Sequence, residues 1–125
     1  MKYLSEYIKE KQTECFEKNN VFFAFSEKQF NEGKKEGIKY ASFSGGLIID
    51  RTKVKSFLSE HAEIVKNGIA QDIEENGKEG VIIRELANHE ASYTGNTEST
   101  EEALTDYPIT QKEILEVFKT EALKQ

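Results

Sequence analysis

The sequence predicts an α+β domain: a small antiparallel three-stranded sheet (about residues 21–26, 38–44 and 47–50) packed against several helices, the longest about 52–75. Three observations carry this expectation. Apolar side chains recur at spacings of three and four through Val54, Phe57, Leu58, Ala62, Val65, Ile69 and Ile73, the stripe of an amphipathic helix. Aromatic and β-branched residues gather into short runs at 21–25, 38–43 and 47–49, the composition of strands. Those runs do not alternate regularly with helical segments, unlike the pattern of a parallel nucleotide-binding sheet. With 125 residues and one proline, the chain has the length of one ordinary domain, and a single domain over 1–125 is expected.

Each element has a local reason. Between Tyr3 and about Lys18, Leu4, Ile8 and Cys15 share one helical face. Asn19-Asn20 ends that helix, because Asn tolerates the left-handed conformation. Val21-Phe-Phe-Ala-Phe25 reads as a strand buried on both faces or nearly so. Ser26-Glu-Lys-Gln29 has the form of a capping box opening a short helix that stops at Gly33. Ile38 to Ser44 alternates as a second strand. Gly45-Gly46 suits a two-residue hairpin turn, and Leu47-Ile-Ile49 returns as the third strand of a meander.

Asp50 or Thr52 can cap the long helix, which Asn76-Gly77 ends. Val81 to Tyr93 then continues as helix, with Ile82, Leu86, His89 and Tyr93 on one side and Gly95 as the stop. Ser99-Thr-Glu-Glu102 has capping-box form ahead of a short helix around Ala103-Leu104, which Pro108 breaks. Thr110-Gln-Lys-Glu113 is the clearest capping box, and the helix it opens buries Ile114, Val117 and Phe118, with Leu115 and Ala122 as further candidates.

Composition excludes several functions. The net charge is -6, balanced over residues 1–50 and most negative over 96–125. No basic stripe is present to neutralise phosphates, so neither nucleic acid nor an anionic membrane is expected as a partner. One cysteine precludes an intramolecular disulfide and any site built on several thiols. The first ten residues include acids and lack the apolar core of a signal peptide. No window reaches the roughly 18 apolar residues of a membrane-spanning helix. A cytoplasmic location is expected.

Gly45-Gly46 lacks the Lys-Ser or Lys-Thr of a P-loop, and Gly33-Lys-Lys-Glu-Gly37 precedes no apolar helix that could hold a phosphate. Cys15 lies at an apolar helix position near Glu14 and Glu17, which raise rather than lower a thiol pKa. No Gly-x-Ser-x-Gly elbow occurs. No catalytic residue, cofactor or metal is therefore assigned. His61 and His89 each fall on an apolar stripe, the place of a packed and hydrogen-bonded imidazole. Were the two helices to pair antiparallel, the histidines could converge with Glu85 or Glu90 on zinc or iron.

The densest concentration of chemistry is Asn88-His-Glu-Ala-Ser-Tyr-Thr-Gly95. Polar groups of several kinds at an element terminus suit recognition or acid–base work, and Asn88, His89, Glu90 and Tyr93 are the candidate ligand-binding set. Glu90 would hold the imidazole charged and Tyr93 would donate a hydrogen bond. The competing structural role has Asn88 and Glu90 in water, Tyr93 anchoring the helix end and Gly95 capping it. The aromatic residues Phe22, Phe23, Phe25, Phe30, Tyr40 and Phe43 exceed what one face of a small sheet needs. Most belong in a core, and one such as Phe22 could instead anchor an interface.

Phe23-Ala-Phe-Ser-Glu-Lys-Gln-Phe30, Gln71-Asp-Ile-Glu-Glu75, Arg84-Glu-Leu-Ala-Asn-His-Glu90 and Tyr93-Thr-Gly95 resemble a family of small acidic uncharacterised proteins from bacteriophages and gut bacteria, a domain of unknown function. The resemblance implies a small cytoplasmic protein of phage or mobile-element origin and transfers no catalytic role. Many such products bind host proteins, an association rather than a physical argument. A non-enzymatic protein-interaction or regulatory module, such as a phage-type modulator of a host factor, is the expected function. A small-ligand-binding or hydrolytic domain around His89, Glu90 and Tyr93 is the alternative. A protein partner is expected, and homo-oligomerisation is open through an exposed strand or the long helix.

Overall fold

The sheet forms where aromatic and β-branched residues are densest, in a computed structural model that describes residues 2–124. The elements run α1 (Leu4–Lys18), β1 (Phe22–Phe23), α2 (Glu27–Gly33), β2 (Tyr40–Ser42), β3 (Leu47–Asp50), α3 (Val54–Asn88, interrupted at Gly77), α4 (Ala91–Thr94), α5 (Glu98–Ala103) and α6 (Gln111–Leu123). They are α+β as expected. The chain groups into two compact units, Ser5–Gly68 and the described residues of Met1–Leu4 with Ile69–Gln125.

Ser5–Gly68, the strand-bearing unit, carries the whole sheet. The strand order is β1-β3-β2, all antiparallel, not the meander order. Composition explains this: Ile48 and Ile49 point to opposite faces of β3 and both are buried, so this strand takes the centre. On one face Cys15, Val21, Ile49 and Phe57 form a buried core, with Phe16, Leu47, Val54 and Ile64 packed against it. On the other, Phe22 meets Tyr40 edge to face with ring centres 5.4 Å apart, and Phe30 joins both. Gly33 is needed there, since a Cβ at that position would lie 2.5 Å from the Phe22 ring.

Capping proceeds nearly as the sequence predicts. Asn20 is left-handed with φ 53° beyond α1. The Ser26 hydroxyl accepts from the Gln29 N–H, while the Gln29 amide oxygen reaches one residue further back than a capping box requires, to the Phe25 N–H. Asp50 accepts from the Thr52 N–H and opens a 3-10 turn that leads into α3. The hairpin turn is the three residues Ser44–Gly46, with Gly45 and Gly46 at positive φ.

Two expectations about burial fail. Leu58 is 53% exposed and Ala62 faces solvent, so the buried stripe of α3 is rotated onto Phe57, His61 and Ile64. The strand at 21–25 is not enclosed, since only Phe22 and Phe23 pair and Phe25 is 73% exposed. One further bond, from the Ala24 N–H to the Gly46 carbonyl, follows before Ser26 caps α2 and the chain leaves the sheet.

The helical unit contains α3 from Ile69 onward and α4 to α6. Its buried residues include Val81, Ile82, Leu86, Ala91, Leu104, Tyr107 and Ile114. Thr110 and Glu113 form the expected reciprocal capping box. Ser99 does not cap α5, whose N-cap position is Thr97; the Glu98 N–H bonds to the Asn96 side chain instead. Leu115 is 40% exposed and Ala122 is exposed.

Gly77 interrupts α3 at φ 72°, ψ 158°, a region open essentially to glycine alone. Its added Cβ would meet nothing within 4 Å, so backbone strain is the sole penalty of a methyl. Gly77→Ala is expected to cost about 1–3 kcal/mol, read as a lower urea midpoint with an unchanged slope.

Candidate functional site

The 88–95 segment is a chain break. A helix over 81–93 is expected, but Glu90 adopts the left-handed conformation at φ 52°, ending α3 and starting the single turn of α4. This turns the polar side chains outward. Asn88 and Glu90 are exposed, and Tyr93 is 89% exposed, so it anchors nothing in the described residues. His89 alone is half-buried. Its Nε2 is shut off from solvent, has no hydrogen-bond partner among the described residues and lies 3.8 Å from Glu85 Oε1. The carboxylate nearest the imidazole thus belongs to Glu85, one turn earlier, and not to Glu90.

Beside this segment is an apolar pocket of about 200 Å³, lined by Ile83, Leu86, Ala87, Phe118 and Ala122 with Ser92 and Glu121. Of the 88–95 segment only Ser92 lines it.

Glu85 leads into a buried cluster that sequence reasoning missed. Arg84 grips Asp72 with both terminal nitrogens, at 2.8 and 2.9 Å, and donates from Nε to Glu85 at 2.7 Å. The Tyr107 hydroxyl donates to Asp72 Oδ2 at 2.5 Å and the Asn76 amide to Oδ1 at 2.8 Å. Arg84 also donates to the Lys2 carbonyl. Burial alone would push the Asp72 carboxyl up, yet the bonds from Arg84, Tyr107 and Asn76 hold it below the ordinary carboxylate range. Burial and the bond to Asp72 push the Tyr107 phenol well up. Burial pulls the Arg84 guanidinium down, but its bonds to Asp72 and Glu85 prevail and leave it firmly charged. Every acceptor of Asp72 is filled from within, so the cluster is built to hold the helical unit together.

In the strand-bearing unit, His61 packs against the Phe57 and Phe16 rings, which also meet each other, and shares a 3.1 Å hydrogen bond with the Gln12 side chain. His61 and His89 belong to different units. Among the described residues no group of three or more His, Cys, Asp or Glu side chains is placed to hold a metal ion. Cys15 is buried, and burial followed by the Glu60 charge pushes its thiol up, against nucleophilic use.

The same unit carries an aromatic surface. Phe23 and Phe25 stack in parallel with centres 6.3 Å apart, and Phe16 meets Phe23 at 5.8 Å. Phe23, Phe25 and Phe43 are 52%, 73% and 43% exposed. Phe23 and Phe43 project from the same sheet face, because Phe23 pairs with Leu47 and the Phe43 N–H bonds to the Leu47 carbonyl. Phe22 is half-buried in the opposite face. The surplus of aromatics was legible in the sequence; which rings stay uncovered was not, because that depends on how short β1 is.

The fold and surface define a small α+β protein with a buried polar cluster in one unit and an exposed aromatic face in the other. The chain belongs to a family of unknown function (DUF7659), whose model matches residues 4–124. No curated protein and no solved structure matches it. Among the described residues no helix is long and apolar enough to cross a membrane.

Removing one partner of a buried ion pair strands the other. Arg84→Met is therefore expected to destabilise the helical unit by about 3–5 kcal/mol, measured by urea denaturation. The pH dependence has a fixed sign. Asp72 is depressed in the fold, so its stabilisation is full above the ordinary Asp pKa of about 4 and disappears as pH falls through the folded value. Stability of the native protein should fall more steeply below about pH 4 than that of Asp72→Asn, as shown by denaturation at stepped pH.

Proposed function

We propose that this protein is a non-enzymatic protein-interaction module that acts in the cytoplasm and docks its partner on the aromatic face of the strand-bearing unit. The carrying observation is the stacked, uncovered pair Phe23 and Phe25, with Phe43 exposed on the same sheet face across β3. Exposed aromatic rings grouped on one surface are the usual anchors of a protein interface. Charge supports the choice of unit. Ser5–Gly68 carries eleven basic and ten acidic side chains, whereas the remainder carries six and thirteen. The aromatic face therefore sits on a nearly neutral unit, where apolar docking meets little like-charge repulsion. The resemblance to phage-encoded proteins supports a finer form of the reading, in which the partner is a host factor under the module's control.

A photoreactive benzoyl-phenylalanine in place of Phe25 tests the reading in the cell of origin. Discrete cross-linked products are expected from position 25, lost when Phe23→Ser is added, and absent when the same probe replaces Glu116 on α6. Equal labelling from both positions, or none from position 25, would defeat it.

A second reading is favoured by the apolar pocket beside the 88–95 segment. There the protein would bind a small apolar ligand among Leu86, Ala87 and Phe118, with the Ser92 hydroxyl as its polar contact. Ala87→Trp, at an exposed position on the pocket wall, should fill the space. It is expected to abolish any thermal shift produced by a panel of small aromatic fragments; fragments that shift both proteins equally would sink this reading.

A further inference from the structure

Behind the exposed rings, between α1 and β1, lies a pocket of about 240 Å³ lined by Gln12, Thr13, Phe16, Glu17, Val21 and Phe23. Its chemistry is one-sided. Phe16 and Phe23 meet at 39° with centres 5.8 Å apart, two π systems that attract cations electrostatically. The Thr13 hydroxyl donates to the Lys9 carbonyl at 2.9 Å, which leaves its lone pairs to accept. The Gln12 amide nitrogen is on His61, which leaves its carbonyl oxygen. The Glu17 carboxylate has no ion pair or hydrogen bond among the described residues, and no lysine or arginine lines the pocket. Val21 supplies only apolar wall.

A site made of aromatic rings, acceptors and one unpaired carboxylate lacks a flat cation rich in N–H donors. We propose that this pocket receives the guanidinium of an arginine side chain presented by the protein partner. The plane of the guanidinium would lie against an aromatic ring while its N–H groups reach Glu17, a combination that the compact ammonium of lysine matches less well. This inference rests on the docking reading above and supplies the partner's chemistry: a segment with an arginine beside apolar residues, the latter covering Phe25 and Phe43.

The test titrates the intact protein with acetyl-Ala-Arg-Ala-amide and follows backbone amide chemical shifts by NMR. Saturable shifts confined to residues 12–23 are expected. The same peptide with citrulline, neutral and nearly isosteric, should fail to bind, and the lysine peptide should bind several-fold more weakly. Glu17→Gln, at an exposed position that leaves the core intact, should weaken arginine binding about fivefold; Phe23→Leu, which keeps the apolar bulk and removes the ring, should weaken it about threefold. Equal binding of the citrulline or lysine peptide, or no effect of Glu17→Gln, would overturn the assignment. If position 25 cross-links to a partner while the arginine peptide does not bind, this inference fails alone. Arginine binding without any cross-link would defeat the docking reading, and with it the presentation by a partner, while the pocket's selectivity for a guanidinium stands.

Discussion

The helical unit depends on the contact between Asp72 and Arg84. A carboxylate with no solvent exposure is tolerable only if its charge is matched and its lone pairs are filled. Asp72 meets both conditions: two bonds from Arg84, one from Tyr107 and one from Asn76. The partners come from separate stretches of chain. Asp72 precedes the break at Gly77 and Arg84 follows it, Tyr107 lies beyond α5, and Lys2 offers its carbonyl from the chain start. The Tyr3 ring lies 5.4 Å from the guanidinium, and Thr100 closes on the Glu85 carbonyl. Oil-like packing would permit many arrangements of these short helices. A buried, fully bonded ion pair fixes the partners of each side chain, and loss of either one would leave the other charge unmatched.

Gly77 and Glu90 then have clear meanings. The chain must leave helical geometry after Asn76 for Arg84 to face Asp72, and glycine takes the required angles without penalty. Glu90 takes a left-handed conformation with a side chain that does not favour it. The fold accepts that cost where Ala91, fully buried, follows at once.

Elements governed by local rules were legible in the sequence. The ends of α1, α2 and the first part of α3 follow from Asn20, Ser26 with Gly33, and Asn76 with Gly77; α6 follows from Thr110 and Glu113. Features set by long-range pairing were not. Strand order depends on which strand is apolar on both faces, and the run Leu47-Ile-Ile49 is too short to distinguish a central strand from an edge. The Asp72–Arg84 cluster left a faint trace: Asp72 stands between Ile69 and Ile73, and Arg84-Glu85 between Ile83 and Leu86. Charges set into apolar stripes were there to be seen, but the pairing of residues twelve apart across a break has no local signature. The 88–95 segment differs from expectation for the opposite reason. Its helical periodicity predicts one continuous helix, but Glu90 takes the left-handed conformation, ends α3 and leaves Glu85 rather than Glu90 at His89.

The aromatic face bears on how the strand-bearing unit would meet the proposed partner. Strand addition to an open sheet edge draws its affinity from a row of main-chain hydrogen bonds. β1 is two residues long and gives way to α2, whose cap uses the Phe25 N–H, so its edge offers almost no such row. On the β1 side a partner would have to be met through side chains; β2 forms the other edge of the sheet. Val21, Phe23 and Phe25 project to one face because strand side chains alternate, and Val21 is committed to the core while Phe23 and Phe25 extend the same row into solvent. The exposed rings are thus the continuation of the core past the point where α1 and α3 cover it. A partner that supplies the missing cover would extend that core, and it would meet the Glu17 carboxylate at its margin.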